Sequence, residues 1–293
     1  MKHFLSSRAL CFVGPLSCLG GLFLLAACIE EQPGSDAVNA ASTSVSSSSS
    51  ARPVHWTYEG KEGPENWGKL SPVYAACGNG QAQSPINLIA TQESNAIPLI
   101  FDYKRSGLKI AHHENVMDII DNGHTIQVTV DVGSTLTTRR DIYDLAQFHF
   151  HTPSEHTVGG KSFPMEAHFV HQSDKKNFAV ISVLFEEGAS NANLDRLITH
   201  FPAAKGDTLH EPEVKLDLGS HLPRSPLVYS YMGSFTTPPC TENVEWFVMQ
   251  TPLTASRAQL DAFAARLGHN NRPIQPLRGR VSEVNQVTKG LKR

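Results

Sequence analysis

The chain has 293 residues, 40% of them hydrophobic, and a formal net charge of −3. That length suits one large domain or two ordinary ones with a real core. No long basic run occurs, so nothing points to nucleic acid.

Residues 1–27 read as an export signal. Lys2 and Arg8 give a positive start, and an apolar stretch from 9 to 27 follows without an acid. Pro15 and Gly20-Gly21 weaken its case as a membrane span. Leu25-Ala26-Ala27-Cys28 resembles a bacterial lipobox, in which the cysteine becomes the lipidated first residue. An ordinary cleaved signal and an uncleaved anchor are the other readings. Each of them takes the domain out of the cytosol, to a periplasm or cell surface, with membrane contact only through this N-terminal anchor.

Five cysteines are present, and three lie in the first 28 residues. With Cys28 lipidated, Cys77 and Cys240 are left in an oxidising compartment, where a disulfide is expected. Two free thiols are the alternative. Residues 28–52 collapse to Ser, Ala, Asn and acids. They carry no apolar periodicity to bury, so they read as a disordered Ser-rich linker.

The folded domain is expected over 53–293. It opens irregularly, with aromatics mixed among turn residues. Strand-like runs then fall at 99–103, 108–111 and 116–120. The Asn122-Gly123 pair signals a hairpin into an alternating strand at 124–130. Further strands read at 142–151, 165–171, 178–185, 227–231 and 244–249. Helices are predicted over 190–201, from Leu194, Leu197, Ile198 and Phe201, and over 254–267, from Leu260, Phe263, Ala264 and Leu267, with Gly268 at the stop. Many short strands with few helices make a single α+β domain, mainly β.

The chemistry concentrates in 147–151 (QFHFH) and 166–168 (EAH). In a strand, residues i and i+2 share a face. His149 and His151 therefore reach one point, while Phe148 and Phe150 turn into a core. His168 follows 17 residues after His151, far enough for a turn and a return strand that adds a third imidazole. A lone buried histidine is usually a satisfied core residue. Three neutral imidazoles with an open fourth position make a catalytic zinc site instead, one Zn2+ per chain. Gln147 and Glu166 share faces with His149 and His168. Each can accept the second ring N–H of its neighbour and so fix the tautomer.

These pieces, with 154–158 (SEHTV), 166–171 (EAHFVH), 233–239 (GSFTTPP), 122–124 (NGH), 83–85 (QSP) and 271–276 (NRPIQP), run in order over nearly all of 53–293. Together they resemble the alpha-class carbonic anhydrases. The resemblance implies a large twisted, mostly antiparallel sheet with short peripheral helices. It also implies reversible hydration of carbon dioxide to bicarbonate and a proton by hydroxide on zinc, with inhibitory anions and sulfonamides as ligands. Thr236 matches the gatekeeper that Glu155 orients, and His124 the proton shuttle. Asn270 matches the backbone partner of His151. Val170, Val180, Phe235, Thr237 and Trp246 match the substrate pocket, and Tyr58 and Gln127 match polar cleft residues. Cys77 and Cys240 match a disulfide common in exported members. Many members carry Leu where Phe235 stands, so a narrower pocket is expected. The alternative is a catalytically weak carbonic anhydrase-like domain that binds a partner. The remaining histidines, His156 among them, are structural by default. An oligomer is compatible with all of this.

Overall fold

The computed structural model describes residues 54–89, 99–102, 118–130, 133–210, 216, 218–223 and 227–286. They all fall within one compact unit, Ala51–Arg293. The export signal, Cys28, the whole linker, and the strand expected at 108–111 lie outside the described residues.

The first elements are β1 (Asn87–Leu88), β2 (Ile100–Asp102), β3 (Asp118–Asp121), β4 (Ile126–Thr129) and β5 (Thr135–Thr137). The centre of the chain forms β6 (Ile142–His151), β7 (Thr157–Val158), β8 (Met165–Gln172) and β9 (Phe178–Glu187). Then come β10 (Thr208–His210), β11 (Leu227–Ser234), β12 (Glu242–Met249), β13 (Leu253–Ala255) and β14 (Glu283–Gln286). A 12-stranded sheet runs in the order β10-β3-β4-β6-β8-β9-β12-β11-β14, with β2, β5 and β13 off that path. Its pairings are antiparallel except β9 with β12 and with β13. The sheet is therefore the mostly antiparallel one expected, with short helices at its margins.

Alternation along the central strands divides the core. Phe148, Phe150, Phe169, Ile181 and Phe247 pack on one face of the sheet. Val170, Val180, Val244 and Trp246 pack on the other. Helix α4 (Arg257–Leu267) closes the first face with Leu260 and Phe263, and the Phe263 ring lies 4.6 Å from that of Phe150. Burying a side chain of this size contributes about 1.5–3 kcal/mol.

Both predicted helices are shorter than their periodicity. Helix α3 spans Ala192–Ile198, because the Asn191 side chain caps it by accepting from the Asn193 N–H. Helix α4 starts only after Ser256, which closes a capping box with Gln259. Thr254 belongs instead to β13, paired with Glu186. Gly268 does end the helix, at φ 65°. The irregular N-terminal part holds two four-residue helices, α1 (Trp67–Leu70) and α2 (Ala76–Asn79). A disulfide joins Cys77 of α2 to Cys240. The Asn122-Gly123 hairpin forms between β3 and β4, with Gly123 at φ 85°.

Candidate metal centre

Strand register builds the site. On the antiparallel pair β6–β8, His149 stands directly opposite His168, and His151 opposite Glu166. On the other side of β6, Gln127 of β4 stands opposite His149. The three histidines each offer one ring nitrogen, and these atoms lie within 4.8 Å of one another. His151 and His168 are buried and His149 is half-buried.

Each imidazole is held by its other nitrogen, and each by a different kind of acceptor. His149 Nδ1 lies 2.8 Å from Gln147 Oε1. His151 Nδ1 lies 2.7 Å from the Asn270 carbonyl oxygen. His168 Nε2 lies 2.8 Å from Glu166 Oε1. A carbonyl or carboxylate can only accept, so the proton of each ring sits on the held nitrogen. The free lone pairs are therefore Nε2 of His149 and His151 and Nδ1 of His168. His151 Nε2 is buried without a hydrogen-bond partner. An unpaired buried acceptor is costly unless something occupies it, and a cation on three lone pairs fits this donor set. Burial first, and then the neighbouring imidazoles, lower the His149 pKa far below 6.5. Burial brings His151 to about 4, against the opposing pull of the Asn270 carbonyl. Neutral imidazoles are the form a metal needs.

Glu155 lies beside this centre. Its Oε1 accepts the Arg272 backbone N–H at 2.8 Å. Its two oxygens lie 3.6 Å from His151 Nδ1 and 3.8 Å from His168 Nδ1. Burial raises its carboxyl to about 7, with His168 and the Arg272 N–H pulling the other way. The Thr236 hydroxyl adds a smaller downward pull, although Glu155 Oε2 closes no full hydrogen bond. Thr236 is buried and Thr237 half-buried, in a loop whose Thr237 carbonyl accepts the Cys240 N–H at 2.8 Å.

Val170, Val180 and Trp246 form one buried apolar cluster, and Phe235 packs against it. The Phe235 ring meets Phe178 edge-on at 4.8 Å. The His124 ring is stacked on Trp56 at 3.7 Å. Burial, then the charges of His55 and Lys205, lower its pKa. His124 and Tyr58 line a cleft of about 940 Å3 with His269 and Lys205. Burial and the Glu155 carboxylate push the Tyr58 hydroxyl up.

Three partners escaped the sequence reading. Asn270 was expected to offer only its carbonyl. Its side chain also accepts the Thr152 N–H and donates to the Phe150 and His124 carbonyls, tying the hairpin to the end of β6. Arg272 is buried and donates to Gln83, to the Ser84 carbonyl and to the Cys77 carbonyl. His156 is fully buried and bonds Glu166 through Nδ1 at 2.6 Å. His156, Glu166 and His168 also cluster tightly, but their facing atoms are joined by hydrogen bonds, so they hold protons and not a second metal. Nothing in the composition or spacing marks these roles.

Residues 62–286 match the family model for eukaryotic-type carbonic anhydrase. A protein named carbonic anhydrase from Pectobacterium carotovorum is 42% identical over 236 residues, 80% of this chain and 93% of that one. The Photobacterium profundum alpha-carbonic anhydrase structure has a TM-score of 0.70 at 40% identity, covering 80% of this chain and all of that one. An alpha-carbonic anhydrase from Thermovibrio ammonificans, solved with the inhibitor sulfanilamide, has a TM-score of 0.71 at 38% identity, covering 80% and 99%.

Proposed function

The chain belongs to the eukaryotic-type (alpha) carbonic anhydrase family, and from that premise we propose that it hydrates carbon dioxide reversibly at a zinc ion held by His149, His151 and His168. The observation that carries this reading is the convergence of three ring nitrogens within 4.8 Å, one of them buried and unpaired, while the opposite nitrogens are tied. Bound zinc would act as a Lewis acid that brings the pKa of water to about 7, the general value for carbonic anhydrases, and so supplies a nucleophile at neutral pH. Carbon dioxide has no dipole, and Val170, Val180, Trp246 and Phe235 offer it an apolar wall. Thr236 and Glu155 would orient the nucleophile, a positioning effect. Each turnover leaves a proton to remove. His124, on the 940 Å3 cleft, would accept it and pass it to buffer. Gln127 and Tyr58 would order water between them.

The N-terminal sequence supports export with Cys28 lipidated and residues 28–52 as a tether. Aromatic sulfonamides are the expected inhibitors, as sulfanilamide is for the Thermovibrio relative. The Phe235–Phe178 contact favours the weaker reading, a carbonic anhydrase-like domain with slow catalysis. Stopped-flow hydration of carbon dioxide, with and without a zinc chelator and an aromatic sulfonamide, separates them. Fast hydration that both agents suppress supports the zinc lyase. No hydration despite bound zinc supports the weaker reading.

A further inference from the structure

We infer that His156 and Tyr231 are positioning residues for the metal-facing imidazole of His168, acting through the Glu166 carboxylate. The inference rests on the zinc reading above and concerns two residues that never face the metal.

Glu166 is fully buried and receives five donors. Its Oε2 accepts the backbone N–H groups of Glu155 and His156, each at 2.8 Å. Its Oε1 accepts His156 Nδ1 at 2.6 Å, His168 Nε2 at 2.8 Å and Ser182 Oγ at 2.5 Å. A carboxylate offers about four lone-pair sites, so Oε1 is shared three ways and is full. The direction left for His168 is then set by where His156 and Ser182 stand. Burial alone would push this carboxyl up, but the His156 and His168 imidazoles overcome that and hold it well below its ordinary range.

His156 is in turn fixed at its far end. Its Nε2 lies 2.7 Å from the Tyr231 hydroxyl, which lies 2.9 Å from Ser84 Oγ. A ring held at one nitrogen can pivot about that bond, and a ring held at both cannot. Packing adds to this, since the Trp246 ring centroid lies 4.9 Å from both the His156 and His168 rings. A line of contacts thus runs from Ser84 through Tyr231, His156 and Glu166 to His168. Tyr231 is 75 residues from His156.

The test is the zinc dissociation constant of the full chain, measured by competition with a chelator, together with the visible absorption of the cobalt-substituted protein. Removing a direct partner of a metal ligand costs 10–100-fold in affinity. His156→Phe, one step further out, should raise the zinc constant about 10-fold, the lower end of that range. It should also shift the cobalt spectrum. His156→Asn keeps a donor near the Nδ1 position and should recover part of the loss. Tyr231→Phe deletes one oxygen and should move both readouts in the same direction by less. A purely structural role would lower the melting temperature and leave both readouts unchanged in the folded protein. That result in Tyr231→Phe and His156→Phe overturns the inference. Should His156→Phe fail to fold, Tyr231→Phe decides alone. A wild-type chain with no zinc affinity would overturn the zinc reading itself, and this inference with it.

Discussion

Removing the Cys77–Cys240 bond tests how the loop that carries Thr236 is secured. The bond closes a segment of 163 residues. In the chain-entropy treatment, a loop of that length restrains the unfolded state by about 17 cal/mol/K, or about 5 kcal/mol at room temperature. That is a large share of the roughly 5–15 kcal/mol that holds a typical domain. The local contacts survive the cut. Gln83 Nε2 still donates to the Cys240 carbonyl at 3.0 Å, and Arg272 Nη2 to that of Cys77 at 2.8 Å. Cys77→Ala with Cys240→Ala should therefore lose between about 2 and 5 kcal/mol while keeping hydration activity in the folded state. Ala at 240 keeps the Cβ that the backbone at φ 58° already carries and puts no polar group into a fully buried position. The assay is guanidinium unfolding followed by the fluorescence of the three tryptophans, run also on reduced wild type, where no side chain is deleted. A loss below about 1 kcal/mol in both would refute the loop-entropy argument. Loss of activity in the folded variant would show that the bond also shapes the site.

Four further outcomes are expected. Phe235→Leu opens the contact with Phe178 and should keep or raise hydration; a tenfold drop (about 1.4 kcal/mol in the barrier) would show that the ring serves the reaction. His124→Ala should lose turnover in weak buffer and regain it with added imidazole; unchanged turnover in weak buffer would remove His124 from the proton path. His124 also carries a pH signature, because burial and then His55 and Lys205 lower its pKa from 6.5. A depressed histidine contributes stability that is complete above pH 6.5 and is lost as pH falls through the lower folded value, so His124→Gln should flatten the acid-side loss of denaturant resistance, and an unchanged slope would contradict this. Gly233→Ala would place a methyl 2.1 Å from Ser84 Oγ and 2.8 Å from the Tyr231 ring. Overpacking of that kind destabilises by about 1–3 kcal/mol, and a melting temperature equal to wild type would argue against so tight an approach.

The legible parts of the chain are those where a short period meets a buried face. Strand β6 was readable at its C-terminal end, where alternation across 147–151 sends Phe148 and Phe150 into the core and the histidines the other way; upstream, a register shift between Leu145 and Gln147 puts Tyr143 and Leu145 in that same core and breaks the period. Gln147 and Glu166 were readable because a partner two residues away shares a strand face. Helix starts were not, since Asn191 and Ser256 open the helices with side-chain caps that periodicity ignores. The N-terminal helices have four residues each and no period at all. Trp67 secures the first by donating to the Thr57 and Glu62 carbonyls. His156 was the most misleading residue. It follows Glu155 in a motif and looks spare, yet its partners Glu166 and Tyr231 are 10 and 75 residues away. Long-range hydrogen bonds of this kind leave no trace in spacing.

The three acceptors behind the imidazoles differ in charge, and that difference bears on the chemistry. Gln147 and the Asn270 carbonyl are neutral, whereas Glu166 is an ionised carboxylate. A carboxylate whose charge reached His168 undiminished would push that ring toward imidazolate and weaken a metal's hold on water as an acid. Five donors share that charge: two backbone N–H groups, Ser182 and His156 as well as His168. A neutral replacement such as Gln cannot accept five donors, and it brings an NH2 group of its own to place among them. Glu166→Gln should therefore disturb His156 and His168 together, and its effect on zinc affinity should not add to that of Tyr231→Phe. Additive losses in the double variant would mean that the two residues act on the centre independently.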